Sequence, residues 1–125
     1  MNKIQVLKLL NDLKISKDKY VILSSASLVI RDIYEECGDI DIAVSLDGFE
    51  ELKRNYDLID KGNNWYKISD DIECVVESKN LKKEKYNEFY LQDIHQYYDF
   101  VKSKNREKDK ERISILEKYI KENSI

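Results

Sequence analysis

The sequence predicts an α/β domain that spans residues 1–125 as a single unit. Short apolar segments with the two-residue period of a strand alternate with longer segments that have the 3.6-residue period of a helix. After the last predicted strand, two further helical patterns run to the C-terminus as a helical pair. A chain of 125 residues is long enough for one domain with a sizeable core, and no repeat or low-complexity linker divides it.

The N-terminal part of the chain predicts a helix, a strand and a second helix in that order. Val6, Leu10 and Leu13 recur at helical spacing, so they give the first helix one apolar face that can pack on a sheet. Residues 20–23 form a short apolar strand candidate. A turn of small residues follows, and we expect the second helix over residues 26–35.

The next predicted strand carries two acidic residues within the segment GDIDIAV. Strand alternation places Ile40, Ile42 and Val44 on one face and Asp39 and Asp41 on the other. Carboxylates two residues apart on a strand have Cβ atoms only about 6–7 Å apart. Such a pair repels unless a positive charge lies between its members, and a hard cation such as Mg²⁺ bound through oxygen is the usual remedy. The alternative is a strand start with two solvated aspartates.

The middle of the chain predicts a helix followed by three short strands. Ser45 has the character of an N-cap for a helix over residues 46–56. The three strands are expected at residues 56–60, 65–69 and 72–76, with a turn at residues 61–64 between the first two. Glu73 lies inside the third strand between apolar neighbours, so it is either a third site carboxylate or an exposed strand residue.

The C-terminal part is polar and then helical. Residues 78–86 predict a loop or a short helix, and residues 91–104 and 106–122 have helical patterns. The segment 102–112 is rich in basic residues, which is typical of a solvated helix face with i,i+4 ion pairs. The functional alternative is that some of these cations reach a bound anion.

The order of these pieces resembles the signature of the nucleotidyltransferase superfamily. Its members share the fold of DNA polymerase β, of aminoglycoside and lincosamide nucleotidyltransferases and of small antitoxin-type transferases. The family signature is an apolar residue, Gly, then Gly or Ser, about a dozen residues, and Asp-apolar-Asp-apolar. The matching segments here are Leu23-Ser24-Ser25, Asp39-Ile40-Asp41-Ile42, Ile72-Glu73-Cys74-Val75 for the third acidic residue, and Arg106-Glu107-Lys108-Asp109 for a C-terminal family segment.

The resemblance implies a minimal nucleotidyltransferase fold, in which a short mixed β-sheet is flanked by helices and followed by the C-terminal helical pair. It also implies a metal-dependent transfer of a nucleoside monophosphate from an NTP to an acceptor hydroxyl. The implied catalytic residues and ligands of Mg²⁺ or Mn²⁺ are Asp39, Asp41 and Glu73. The implied nucleotide-binding residues are Ser24, Ser25, Arg106 and Lys108.

One position departs from the family pattern. The family normally has Gly where this chain has Ser24, because the backbone must turn tightly and approach the phosphates there. The departure favours an alternative, a non-catalytic member that acts as a nucleotide sensor or as a protein-interaction module, for instance the antitoxin of a two-gene system. The acceptor class stays open between a small molecule, an RNA end and a protein side chain.

Composition argues against several other classes of protein. The net charge of −3 and the pI near 5.3 differ from the basic character of proteins that coat nucleic acid. No apolar run approaches the roughly 20 residues that span a membrane, and the N-terminus lacks the apolar centre of a signal peptide. The lack of such a run predicts no membrane partner. Cys37 and Cys74 are far apart and form no CxxC motif, which predicts reduced thiols in a cytoplasmic protein.

Overall fold

The computed structural model describes residues 1–76 and 81–123, which form a mixed α/β fold with a seven-stranded sheet and five α-helices. The helices are α1 (Lys3–Asp12), α2 (Ser24–Ile30), α3 (Leu46–Asn55), α4 (Ile94–Lys104) and α5 (Lys110–Glu122). The strands are β1 (Tyr20–Ile22), β2 (Ile40–Val44), β3 (Ile59–Gly62), β4 (Trp65–Lys67), β5 (Ile72–Val76), β6 (Lys83–Tyr86) and β7 (Phe89–Gln92).

The sheet has the strand order β3-β4-β5-β2-β1-β7-β6 and contains both kinds of pairing. Strand β2 is antiparallel to β1 and parallel to β5, and β1 is parallel to β7. The hairpins β3–β4 and β6–β7 extend the sheet at its two ends. The two acidic strands of the sequence, β2 and β5, are therefore neighbours at the centre of the sheet.

One face of the central strands forms the main core. Ile40, Ile42 and Val44 are fully buried and pack with Val6 and Leu10 of α1, which confirms the alternation predicted for β2 and the apolar face predicted for α1. Each fully buried aliphatic side chain of this kind contributes about 1.5–3 kcal/mol of transfer free energy. Alternation leaves the opposite face of β2 for Asp41.

A second, smaller core joins the C-terminal helices to α2. It contains five buried side chains, Leu28, Ile94, Tyr97, Val101 and Leu116. The C-terminal helical pair predicted from the sequence is thus present, and it packs against α2 through Leu28.

Capping explains where several helices begin. The Ser45 side chain accepts a hydrogen bond from the Gly48 backbone N–H, which confirms the predicted N-cap of α3. Asn2 forms a capping box with Gln5 at α1, and Asp93 caps α4. The capping bond needs only a backbone N–H at position 48, but close packing favours glycine there, because a Cβ would lie 2.8 Å from the Lys19 backbone oxygen.

Helix α2 is shorter at its end than the sequence predicts. It ends at Ile30, whereas its pattern extends to residue 35. Two residues later Asp32 adopts a left-handed conformation with φ of 64°, which a helix cannot accommodate. The helix also begins two residues earlier than expected, at Ser24.

The hairpin β6–β7 corrects the prediction for the segment after β5. Residues 83–86 were expected to form a loop or a short helix, but they pair with β7 as an antiparallel edge strand. Residues 91 and 92, expected in a helix, belong to β7, and α4 begins after the Asp93 cap. The rest of the predicted loop at residues 78–80 lies outside the described residues. Residues 107–109 form a 3₁₀ turn before α5.

The hairpin β3–β4 is shifted from its predicted position. The expected strand at residues 56–60 begins only at Ile59, because Tyr56 is the C-cap of α3. The turn consists of Asn63 and Asn64, both with positive φ, so Lys61 and Gly62 belong to the strand and not to the turn. The prediction of β5 at residues 72–76 is confirmed.

Candidate functional site

Asp41 and Glu73 face each other across the two central parallel strands. The register of β2 and β5 pairs Asp41 with Glu73 directly. Residues paired in this way project to the same face of the sheet, here the face opposite the buried isoleucines. The Glu73 side chain is 21% exposed and Asp41 is half-buried, so both carboxylates are shielded from solvent only in part.

Lys61 supplies a cation to this pair. Its Nζ donates hydrogen bonds to both carboxylate oxygens of Glu73. No pattern in the sequence points to this residue, because it falls within the predicted turn. The β-bulge at β3 brings it to Glu73, as the register shifts between Asp60 and Gly62.

The pKa of Asp41 is raised above its ordinary value. Burial is the largest cause, followed by the negative charges of Glu73 and Asp39, while Lys61 acts in the opposite direction. Asp39 immediately precedes β2 and is exposed. Negative charge at Asp41 is therefore only partly compensated, which is the condition under which a carboxylate pair attracts a cation.

The oxygen ligands present fit a hard divalent cation. The carboxylates of Asp41 and Glu73 are the ligands that Mg²⁺ and Mn²⁺ prefer, and water completes such sites. Within residues 1–76 and 81–123, no group of three or more His, Cys, Asp or Glu side chains has the arrangement of a metal site. The expectation that Asp39 joins Asp41 and Glu73 as a third ligand stays a prediction.

Two cavities meet at Asp41 and Trp65. The first, which we call the carboxylate cavity, has a volume of about 370 Å³ and is lined by Asp41, Glu73, Lys61 and Trp65 together with Gly62 and Asn63. The second, the aromatic cavity, has a volume of about 250 Å³ and lies between the sheet and α4. Its walls include Trp65, Tyr97, Phe100, Ser24, Gln92 and Asp41. A ligand can therefore contact aromatic rings and both carboxylates at once.

Ser24 has the backbone conformation for which glycine is suited. Its φ is 48°, in the left-handed region, at the turn between β1 and α2. A residue with a Cβ costs roughly 1–2 kcal/mol in this conformation relative to the right-handed one. The Ser24 N–H donates to Gln92 Oε1 at 3.4 Å, and Ser27 Oγ donates to the Ser24 carbonyl at 2.6 Å.

Ser25 is bound by an arginine that sequence reasoning missed. Arg112 of α5 donates to Ser25 Oγ at 3.2 Å, to Tyr97 OH at 2.7 Å and to Tyr34 OH at 3.1 Å. Its guanidinium also lies 5.2 Å from the centre of the Tyr34 ring. In the sequence Arg112 is one charge among many in the segment 102–112, and no local signal separates it from the others.

Arg106 and Lys108, which were predicted to bind the nucleotide, lie away from the two cavities. The Arg106 Nε donates to Asp109 Oδ2 at 2.6 Å, and its backbone N–H donates to the same oxygen. Asp109 is only 4% exposed, and the Arg106 guanidinium keeps the pKa of this carboxyl below its ordinary value. Lys108 is exposed. In the described part of the chain neither Arg106 nor Lys108 lines either cavity, so their contact with a nucleotide stays a prediction.

The cysteines take no part in this site. Cys37 and Cys74 are both buried and unpaired. Burial raises the pKa of Cys74 to about 11, with a smaller effect from the charge of Glu73, so the thiol is protonated at neutral pH.

Comparisons with known proteins leave the site to be interpreted from its own geometry. No protein-family model matches the chain, and no curated protein matches it significantly. Among the residues that the structure describes, no helix has both the length and the apolar character needed to cross a membrane.

Proposed function

We propose that this protein is a cytoplasmic, metal-dependent nucleotidyltransferase of the minimal nucleotidyltransferase fold, which moves a nucleoside monophosphate from an NTP to an acceptor hydroxyl. The observation that carries the proposal is the Asp41–Glu73 pair at the junction of the carboxylate and aromatic cavities. Strand order and the positions of the acidic strands at the sheet centre also support it.

In the proposed mechanism, the carboxylates of Asp41 and Glu73, with Asp39 at the edge of the site, would hold Mg²⁺ or Mn²⁺. The bound metal supplies the positive charge that phosphoryl transfer requires. Glu73 lines the carboxylate cavity, so we assign it to the acceptor: its carboxylate would orient the attacking hydroxyl and accept its proton. The hydroxyl oxygen would bond to the α-phosphorus of the NTP while the bond from that phosphorus to the β-phosphate oxygen breaks, and pyrophosphate would leave. Asp41 borders both cavities and therefore contacts donor and acceptor sides.

The donor nucleotide is assigned to the aromatic cavity. Ser24 lines this cavity, and the Ser24–Ser25 turn offers backbone N–H and hydroxyl groups to a phosphate. Trp65, Tyr97 and Phe100 provide ring surfaces on which a base can stack. The three functions of metal binding, phosphate binding and base stacking thus fall on residues that surround one continuous space.

The proposal is tested by incubating the full chain with labelled NTPs and Mg²⁺ and measuring pyrophosphate release and label transfer. The natural protein should release pyrophosphate, and Asp41→Asn should abolish release while its circular dichroism spectrum is unchanged. Asp70→Asn is the matched control, because Asp70 is 97% exposed and lies outside the cavity. Equal activity in Asp41→Asn and the natural protein would rule the site out.

Two observations favour a non-catalytic nucleotide sensor or protein-interaction module as the second candidate. Glu73 already has Lys61 as a counter-ion, and Ser24 places a Cβ in a strained turn. In this case the chain binds an NTP or a protein partner without chemistry. Tight NTP binding with neither pyrophosphate release nor label transfer, across small-molecule, RNA and protein acceptors, would favour the sensor.

A further inference from the structure

The ammonium of Lys61 lies where a cation of the candidate metal site would bind. Lys61 Nζ contacts both oxygens of Glu73, and Lys61 lines the carboxylate cavity together with Asp41. The contact joins side chains that are 47% and 21% exposed, so the ammonium is held by the cavity but remains reachable from solvent.

The position of Lys61 follows from the bulge in β3. Asp60 pairs with Tyr66 and Gly62 pairs with Trp65, which leaves Lys61 as the extra residue between them. A bulge turns the side chain of its extra residue away from the regular ladder. Gly62 completes the bend with φ of 89°, and its N–H donates to Asp60 Oδ1 at 2.8 Å. The backbone thus aims Lys61 at Glu73.

A second lysine shows that this contact is selective. Lys67 on β4 lies directly opposite Glu73 in the sheet register. Its ammonium nevertheless pairs with Asp70, in the turn between β4 and β5, at 3.3 Å. Glu73 therefore binds Lys61 from the bulge although Lys67 lies in register beside it. Lys67 is a control for Lys61, because the two residues share their type and charge and lie near the same carboxylate.

We propose that Lys61 is a tethered competitor for the divalent cation, an inference that rests on the proposed metal site. Without metal, the ammonium binds Glu73 and offsets one of the two negative charges of the Asp41–Glu73 pair. When a divalent cation binds, it displaces the ammonium from Glu73, because the same two oxygens cannot be fully coordinated by both. Lys61 thereby sets the affinity of the site for metal, and Glu73 has a cationic partner whether or not metal is bound.

The test is a calorimetric titration of Mn²⁺ alone into the full chain and three variants. Lys61→Met should bind Mn²⁺ about fivefold more tightly than the natural protein, which is the scale of one partly exposed ion pair. Lys61→Arg keeps the competing charge and should bind within about twofold of the natural protein, as should Lys67→Met. In EDTA, Lys61→Met should melt at a lower temperature than the natural protein. Addition of Mn²⁺ should raise the melting temperature of Lys61→Met by more than it raises that of the natural protein.

Each contrary result has a separate meaning. If Lys61→Met binds Mn²⁺ equally or more weakly, Lys61 is not a competitor. If Lys67→Met tightens binding as much, the effect is one of general charge and the inference is wrong. If Mn²⁺ binds neither the natural protein nor any variant, the metal site itself fails and the inference fails with it. Lys61→Gln replaces Lys61→Met should the latter not fold.

Discussion

Asp41 is the residue at which stability and the proposed function oppose each other. Its raised pKa means that the folded state binds a proton more tightly than the unfolded chain does. The ionised form therefore destabilises the fold, and this cost is absent at low pH and appears as the pH rises through the pKa of the folded state. A residue selected only for stability would not carry a carboxylate at this position.

The first prediction follows from the destabilising effect of the ionised Asp41 carboxylate. Asp41→Asn removes the ionisation, so in EDTA at pH 7 it should raise the melting temperature above that of the natural protein. The difference should shrink as the pH is lowered below about 3, under the ordinary pKa of an aspartate, because Asp41 is then protonated in both the folded and the unfolded state. Thermal melts at several pH values measure it. A variant that melts below the natural protein at every pH would show that Asp41 is stabilised by contacts and not strained by its charge.

The second prediction concerns Ser24. Because Ser24 has a left-handed φ, Ser24→Gly should stabilise the fold by about 0.5–1 kcal/mol despite the greater entropy of glycine in the unfolded chain. It should also tighten NTP binding by removing a Cβ from the wall of the aromatic cavity.

Ser27→Gly is the control for Ser24→Gly. Ser27 is 2% exposed within α2, and its hydroxyl donates to the Ser24 carbonyl, so this variant should lose about 1 kcal/mol or more. Chemical denaturation measures both variants. A destabilised Ser24→Gly with unchanged NTP binding would mean that the turn is not strained.

At the scale of elements, Arg112 joins α5 to α2 and α4. Its three hydrogen bonds reach Ser25, Tyr34 and Tyr97, and two of these acceptors are tyrosine hydroxyls packed beneath it. Arg112→Met should therefore destabilise the protein by about 1–3 kcal/mol, because partly buried hydroxyls lose a charged donor. Arg54→Met, at an exposed position in the last turn of α3, should change stability by no more than about 0.5 kcal/mol.

The elements that the sequence predicts well are those whose pattern is local. The alternation of β2, the apolar face of α1 and the Ser45 cap each depend on residues a few positions apart, and each is confirmed. The hairpin β6–β7 was missed for the opposite reason. Strand β6 reads KEKY and lies at the sheet edge, so it has no apolar alternation. It is a strand because it pairs with β7.

The same distinction applies to the site. Asp41 and Glu73 could be predicted to face each other, because both lie in short apolar strands and the resemblance makes those strands neighbours. The hydrogen-bond partners of the site residues could not be predicted from the sequence. Lys61 reaches Glu73 across 12 residues through a bulge, and Arg112 reaches Ser25 across 87 residues through helix packing. Conversely, Arg106 matches the family segment but is bound to Asp109.

At the scale of the whole molecule, the aromatic cavity borders the second core through Tyr97, and in the described part of the chain none of the buried residues of the main core lines it. The main core fills one face of the sheet, and the second core fixes α4 through Leu28 on the other side of α2. The aromatic cavity is the space that remains between the sheet and α4. Ligand binding there should raise the stability of the folded state by linkage, by about 2.7 kcal/mol at a hundredfold excess over the dissociation constant.

The central claim is that the Asp41–Glu73 pair and the aromatic cavity form one metal-dependent nucleotide site. The most direct measurement is calorimetric binding of each of the four NTPs to the full chain with saturating Mn²⁺, which requires no acceptor. We predict that at least one NTP binds at millimolar concentration or below. Asp41→Asn should weaken that binding about tenfold or more, and Asp70→Asn should leave it unchanged. The claim is contradicted if neither the natural protein nor Ser24→Gly binds any NTP, or if Asp41→Asn binds as tightly as the natural protein.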